Sequence, residues 1–384
     1  MKWAASILIF CVAVLIGMGM VMLYSASMNM EVNKSTVGAQ LVVSQFHWFL
    51  FGLVCCAVTA SADYRRLKRI SPWLLGFSVL LLLLVFAPVI GRPSHGAHRW
   101  IGFPGLPHLQ SSELAKLALI LFLAAYADRY QRQMAGFKKG LAIPGAVIVL
   151  VLGLIFVEPD RGCTILLASV CGVMLIVAGV RLFYLVPPVA LLTVGLVISF
   201  LHDPMRMRRI MAWAHPDENK AGVGYQAREA MIALGSGGWA GLGLGNGRQK
   251  LGFVPEHHTD FIFSIIGEEL GLLATMAVVL LFIALAICGV FIARRSSDAF
   301  GLLLGTGLTF MIGFQAFINI AVVTSVLPNK GMPLPFISYG GSNLVLMLVA
   351  VGLLISICRF AVESVPQKSS NPFEMTLDAP PAHA

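Results

Sequence analysis

The sequence predicts an all-α integral membrane protein, a bundle of about ten transmembrane helices with a large extracytoplasmic loop between the seventh and the eighth. Three observations predict it. The 384-residue chain is 58% hydrophobic and only 12% charged, with a mean hydropathy of +0.85, which soluble domains of this length do not reach. Apolar stretches of about twenty residues recur, each long enough to cross roughly 30 Å of hydrocarbon as a helix, which pairs its own backbone in lipid. Between about residues 202 and 260 that pattern stops. A basic, glycine-rich segment there runs into Pro255-Glu256-His257-His258-Thr259-Asp260, and apolar sequence resumes at Phe261.

The ten spans centre near Val14, Leu53, Leu82, Leu121, Leu150, Met174, Leu192, Val279, Thr309 and Val349. The first, with Lys2 ahead of it and Ser25-Ala26-Ser27 behind it, mimics a signal peptide; with nothing soluble after it to export, it reads as a retained helix. Short loops set the orientation. Arg65, Arg66, Lys68, Arg69, Arg129, Arg132, Lys138, Lys139, Arg294 and Arg295 fall on one side, and only Lys34, Arg92, Arg99, Arg161 and Lys330 on the other. Both termini are therefore expected in the cytoplasm and the polar island outside. Residues 1–360 read as one membrane domain. Residues 361–384, with Pro366, Pro372, Pro380 and Pro381 among polar residues, read as a disordered tail. The net charge of +9 is spread over both faces, as suits anionic lipid, and argues no nucleic-acid partner. Seven cysteines lie in or beside apolar spans without a Cys-x-x-Cys spacing, so neither a disulfide framework nor a zinc site is expected.

Four outer segments carry polar residues that packing does not require. In His98-Arg99-Trp100-Ile101-Gly102 to Lys116, Ser111 or Ser112 is placed to cap the fourth helix. Glu113 and Lys116, three apart on one face, can pair. That pair is either a plain internal ion pair or one that orients a neighbouring group. In Glu158-Pro159-Asp160-Arg161-Gly162 the proline and glycine make a tight reversal, and Asp160 suits the cap of the next helix. The long loop clusters Arg206, Arg208 and Arg209, which can meet phosphates or simply face solvent, and then carries Gly224-Tyr225-Gln226 and glycines from 235 to 247. Arg248 and Lys250 follow. His257, His258 and Asp260 are too closely spaced for a tetrahedral zinc site. One of Glu268 and Glu269, two turns into the eighth span, is expected to face the bundle interior. Last, Leu327-Pro328-Asn329-Lys330-Gly331 runs through Pro333 and Pro335 to Ser338-Tyr339-Gly340-Gly341-Ser342-Asn343. It reads as a rigid re-entrant turn, tolerated at membrane depth only inside protein or beside a wet cavity. An ionisable group such as Asp260 at the membrane boundary reads as functional.

Taken together, Arg99-Trp100-Ile101 to Lys116, Glu158-Pro159-Asp160, Gly224-Tyr225-Gln226, Pro255 to Glu269 and Pro328 to Ser342 resemble the SEDS family of shape, elongation, division and sporulation proteins. The resemblance covers nearly all of the chain except the tail. It implies a ten-helix membrane glycosyltransferase that polymerises peptidoglycan strands from lipid II in the bacterial inner membrane. It also implies a class B penicillin-binding protein as working partner, together with divisome proteins. Gly224-Tyr225-Gln226, Gln249-Lys250, Ile265 to Glu269 and Asn329-Lys330-Gly331 look most like the division branch of the family. Ser111 and Cys163 depart from its usual proline and threonine.

By matching motif, Asp260 is carried over as the catalytic carboxylate, with Glu113 and Lys116 as its supporting pair. Lys330, Arg99, Arg206 and Arg248 are the candidates for binding a departing pyrophosphate, with Lys250, His258 and Ser338 as further substrate-binding candidates. A divalent cation, Mg²⁺ or Mn²⁺, held by Asp260 and substrate phosphates is the expected cofactor. The alternatives are a lipid II flippase, an elongation-type polymerase, or a non-catalytic scaffold. A flippase calls for ionisable groups near the midplane and broken helices in inverted repeats, of which Glu268 and Glu269 are the only hint.

Overall fold

The computed structural model describes residues 2–27, 37–86, 91–94, 97–101, 109–158, 160–215, 224–248 and 259–363. Among these described residues, ten helices build the bundle. They are α1 (Lys2–Ser27), α2 (Val37–Ser61), α3 (Leu67–Leu84), α4 (Ser111–Arg129), α5 (Ile143–Val157), α6 (Arg161–Val177), α7 (Leu182–Leu201), α10 (Ile262–Arg294), α11 (Ala299–Val323) and α12 (Gly341–Glu363). Two shorter ones, α8 (Pro204–Ala214) and α9 (Tyr225–Ser236), lie within the long loop. Among the described residues, eight helices are long and apolar enough to cross a membrane. The other two of the ten are α6, 17 residues long, and α4, which carries Glu113 and Lys116. α4 tolerates those charges because it is the central helix, packed by α3, α5, α6, α11 and α12 and buried on almost every side.

Lipid tails are as apolar as leucine, so helices in a membrane associate through close contact rather than through exclusion of water. The broadest contact, α2 against α12, follows that rule. Gly352 of α12 lies on Thr59 and Cys56, and Gly52 of α2 lies on Val345 and Leu348. At the end read as cytoplasmic, the Tyr64 hydroxyl hydrogen-bonds to Asp298 and its ring stacks on Phe300, while Arg359 donates to the Ser61 carbonyl at 2.6 Å. The seven cysteines carry reduced thiols.

Three expectations change. The third span centres well before Leu82, because α3 starts at Leu67 and ends at Leu84. Hydropathy marks the most apolar window, whereas the helix also takes in Lys68 and Arg69; Lys68 reaches Asp128 on α4. The outer segment before α4 is a small antiparallel sheet, β1 (Gly91–Ser94), β2 (Ala97–Ile101) and β3 (Leu109–Gln110), in that order. Arg92 faces Trp100, Trp100 faces Gln110, and the register slips beside Pro93 on the edge strand. Strands this short show no alternation to read. Finally, α12 runs to Glu363, three residues past the expected boundary, and the tail beyond it lies outside the described residues.

α10 is two helical pieces joined at Gly271, whose φ of 79° and ψ of −173° lie in a region open essentially to glycine alone. The break frees backbone groups that lipid could not satisfy, and the glycine-rich loop after α9 takes them. Leu242 and Gly243 donate to the carbonyls of Glu268 and Glu269 at 2.9 Å each. Leu272 and Leu273 donate to the carbonyls of Gly238 and Trp239 at 2.9 and 3.3 Å. The two carboxylates finish the joint. Glu269 accepts from Ser25 of α1 at 2.6 Å and from the Gly245 amide at 3.1 Å, and Glu268 accepts from the Arg248 amide at 2.7 Å. Both glutamates are buried, so the bundle interior receives two rather than one.

Gly271→Ala is expected to destabilise the protein by about 1–3 kcal/mol or more, because the methyl group meets the Gly241 backbone as well as a forbidden φ. Gly172→Ala, on an open face of α6, is expected to leave stability unchanged or raise it by up to about 1 kcal/mol. Thermal unfolding in detergent checks both; equal midpoints for the two variants would mean that the break is not held as described.

Candidate active site

Asp260 stands one residue before Phe261, the buried residue from which α10 starts. The turn that carries it, just ahead of the helix, is held by side chains. Ser338 donates its hydroxyl to the Thr259 carbonyl at 2.5 Å, and Asn319 of α11 donates to the Asp260 carbonyl at 2.8 Å. The carboxylate packs directly on Gly331: a methyl group there would sit 2.6 Å from Asp260 Oδ2. Only glycine allows that approach without moving the acid.

Gly331 belongs to the re-entrant segment 327–340, which is irregular and largely buried. Its shape is enforced from several sides. Phe336 takes a left-handed φ of 66°, and Gly19 of α1 lies against the backbone of Phe336 and Ile337. Ser338 accepts from the Leu334 amide at 2.8 Å. Gln45 of α2 donates to the Ser338 carbonyl at 3.4 Å and accepts from the Gly340 amide at 3.3 Å. The Ser338 hydroxyl thus serves two backbone groups, in the position of a strut beside Asp260.

Glu113 and Lys116 form the expected pair, 2.9 Å apart, with side chains 5% and 1% exposed. Buried charges need further hydrogen bonds, and both have them. Asn343 of α12 donates to Glu113 Oε2 at 3.1 Å, and Lys116 donates to Gln315 of α11 at 3.1 Å. Gln315 passes the link on by donating to the Pro333 carbonyl at 3.0 Å, and Asn319, one turn later, donates to the Met332 carbonyl at 2.6 Å. The ion pair therefore reaches the segment behind Asp260 through α11. Gln315, Asn319 and Asn343 are absent from the sequence-based candidates. Two amides four residues apart in the apolar α11 are the signal that points to the first two.

Beside this network, the capping expectation for α4 divides. Neither serine caps it; Gln110 stands at its N-cap without a side-chain cap bond. Ser111 instead donates to both oxygens of the fully buried Glu158 at 3.3 Å, and Ser112 accepts from Gln110 at 3.1 Å. A buried carboxylate in reach outcompetes a local cap. Asp160 does cap α6, accepting from the Cys163 amide at 3.1 Å. The Lys330 side chain lies over Gly162 in the first turn of that helix, and Lys330 is the chain neighbour of Gly331, on which the Asp260 carboxylate packs.

Of the other basic candidates, three lie in described segments. Arg248 is exposed, and its amide is tied to Glu268. The backbone places Arg99 on β2 and Arg206 on α8. Lys250 and His258 lie outside the described residues.

Removing either member of the buried ion pair, as in Lys116→Met or Glu113→Leu, is expected to cost roughly 3–5 kcal/mol, since each leaves an uncompensated charge. The double variant is expected to be more stable than the sum of the two losses. A double-mutant cycle on thermal unfolding measures this, and additive losses would dissolve the coupling.

Known proteins place this architecture. The cell cycle protein family of FtsW, RodA and SpoVE matches residues 5–363. A probable peptidoglycan glycosyltransferase FtsW from Geobacter metallireducens is 41% identical over 340 residues, 88% of this chain and 90% of its own length. A relative of the same description from Pseudomonas fluorescens is 36% identical over 351 residues, 90% of this chain and 86% of its own. Among solved structures, a chain of a peptidoglycan synthase complex, studied for its structural coordination of polymerization and crosslinking, superposes with a TM-score of 0.74 at 27% identity. It covers 92% of this chain and 97% of that one. The rod shape determining protein RodA of Thermus thermophilus gives 0.66 at 27% identity, with 92% and 95% covered. Likeness of sequence and of fold both run from the first helix to the last, and the chain belongs to the FtsW, RodA and SpoVE family of cell cycle proteins.

Proposed function

We propose that this chain is a peptidoglycan glycosyltransferase of the division type, which polymerises lipid II into glycan strands for septal wall synthesis. Asp260 is its proton acceptor. The observation that carries the residue assignment is the clamp on Asp260. Two successive carbonyls are fixed from two different elements, and the carboxylate rests on a glycine whose chain neighbour is Lys330. Such a fixed carboxylate at the outer end of a bundle suits a lipid-linked sugar substrate, whose polyprenyl tail lies between helices while its sugars stand in water.

The chemistry follows from the groups present. The acceptor is a sugar 4-hydroxyl, a weak nucleophile until its proton leaves. Asp260 takes that proton as the hydroxyl oxygen bonds to the anomeric carbon of the donor, and the bond from that carbon to the diphosphate oxygen breaks. The proton ends on Asp260, and the electron pair leaves with the polyprenyl diphosphate. Direct in-line displacement inverts the linkage from α to β. General base catalysis contributes about 10² to 10⁴ in rate, and the charge on the departing diphosphate calls for cations, with Lys330, next to Gly331 in the chain, as a candidate.

A divalent ion, Mg²⁺ or Mn²⁺, fits this donor set in one way. Among the described residues no three metal-ligating side chains converge. Asp260 would therefore be the protein's ligand, and substrate phosphate oxygens would complete the shell. When bound, such an ion supplies neutralising charge to the leaving group.

The transport alternative loses its footing in α10. Its break has the form of a discontinuous transporter helix, but the freed backbone groups and both glutamates are engaged by the glycine-rich loop. The related synthase complex, which joins polymerization to crosslinking, supports a class B penicillin-binding protein as partner, within a set of divisome proteins. Both termini lie in the cytoplasm in this reading, and the protein works at the septum of the inner membrane.

Asp260→Asn is expected to unfold like wild type and to make no strands from labelled lipid II with the partner present. Gly331→Ala, which pushes on the carboxylate without removing it, is expected to lose about 10²-fold in rate. Wild-type strand synthesis by Asp260→Asn would sink the assignment. Excess chelator is expected to stop synthesis by the wild type, with Mg²⁺ or Mn²⁺ restoring it. Full synthesis in chelator would remove the ion and leave the diphosphate to protein cations.

A further inference from the structure

Asn319 sits in the apolar α11 with 1% of its surface exposed. A primary amide nitrogen carries two hydrogens, and here each has its own carbonyl: Asp260 at 2.8 Å and Met332 at 2.6 Å. Those carbonyls belong to segments more than seventy residues apart. They are the two segments that meet where the Asp260 carboxylate touches Gly331. One side chain therefore fixes both walls of that contact.

The rest of the residue argues against a packing role. Asn319 Oδ1 is buried and has no hydrogen-bond partner among the described residues. Burying an unmatched amide oxygen is unfavourable, and a leucine of similar volume would avoid it. The donors, then, account for an asparagine at this position. One turn earlier on the same face, Gln315 holds the next carbonyl, that of Pro333, and accepts from Lys116. Two amides at i and i+4 thus fasten consecutive carbonyls of the re-entrant segment to α11. The second of them also fastens Asp260.

We infer that Asn319 is a positioning residue for Asp260, setting the direction and distance of the carboxylate relative to the Gly331–Lys330 segment. It links that geometry through Gln315 to the Glu113–Lys116 pair. This rests on the reading of Asp260 as the proton acceptor. Misplacing a reacting group by about 1 Å costs on the order of 10²-fold in rate while leaving remote binding contacts in place. The loss should therefore fall on kcat.

The experiment compares wild type, Asn319→Leu, Asn319→Ser and Asp260→Asn in strand synthesis from labelled lipid II with the partner present. Thermal unfolding of each is measured in parallel. Asn319→Leu, which keeps volume and loses both donors, is expected to lose about 10²-fold in kcat with KM within about threefold of wild type. Asn319→Ser keeps one donor and is expected to fall between the two; it carries the test where the leucine variant is not recovered folded. A kcat within about threefold of wild type in a folded variant, with Asp260→Asn inactive, overturns the role of Asn319 alone. A kcat loss that merely follows the loss of thermal stability, with KM rising alongside, overturns it too. Strand synthesis by Asp260→Asn overturns instead the reading of the site on which it rests.

Discussion

Backbone that leaves the helical path inside a bundle must find hydrogen bonds that its own neighbours cannot give, and this requirement organises the part of the molecule around Gly271, Asp260 and the re-entrant segment. It is met in three places by three devices. At Gly271 a whole loop supplies the missing partners, backbone to backbone. In the re-entrant segment, Gln45, Gln315, Asn319 and Ser338 supply them from side chains. At Thr259 and Asp260 two of those same side chains do double duty. The irregular segments are thereby locked to one another as well as to the helices. A change at one is felt at the others, because they share donors.

The charges follow the same economy. Glu113, Lys116, Glu158, Glu268 and Glu269 are all buried, yet their described contacts serve structure: an ion pair, a bifurcated serine bond, and a cradle of loop amides. Asp260 differs in being half-buried, with its carboxylate packed on Gly331.

What the sequence made legible is what it encodes locally. Apolar runs marked the ten bundle helices, a three-residue spacing marked the Glu113–Lys116 pair, and Asp160 ahead of Gly162 marked the α6 cap. Prolines and glycines between 327 and 341 marked the irregular segment. The losses share a cause, which is partners distant in sequence. Ser111 turns from capping because Glu158 is near in space, and Asn343 matters because Glu113 lies 230 residues away. Gln315 and Asn319 look like stray amides until the carbonyls they hold are in view. The short strands and the helices of the long loop leave too little periodicity to read, and hydropathy located α3 by its most apolar window rather than by its ends.

The distances along the chain also bear on how the protein is made. Asp260 is translated 59 residues before Asn319 and 79 after Thr259 comes Ser338, so the acid enters the membrane with neither strut yet synthesised. The loop that mends α10, by contrast, precedes it and waits for it, as does Ser25. A nascent chain halted after α10 would contain most of its helices and the Asp260 carboxylate, but neither of the side chains that fix the turn carrying it; that turn is complete only in the finished bundle.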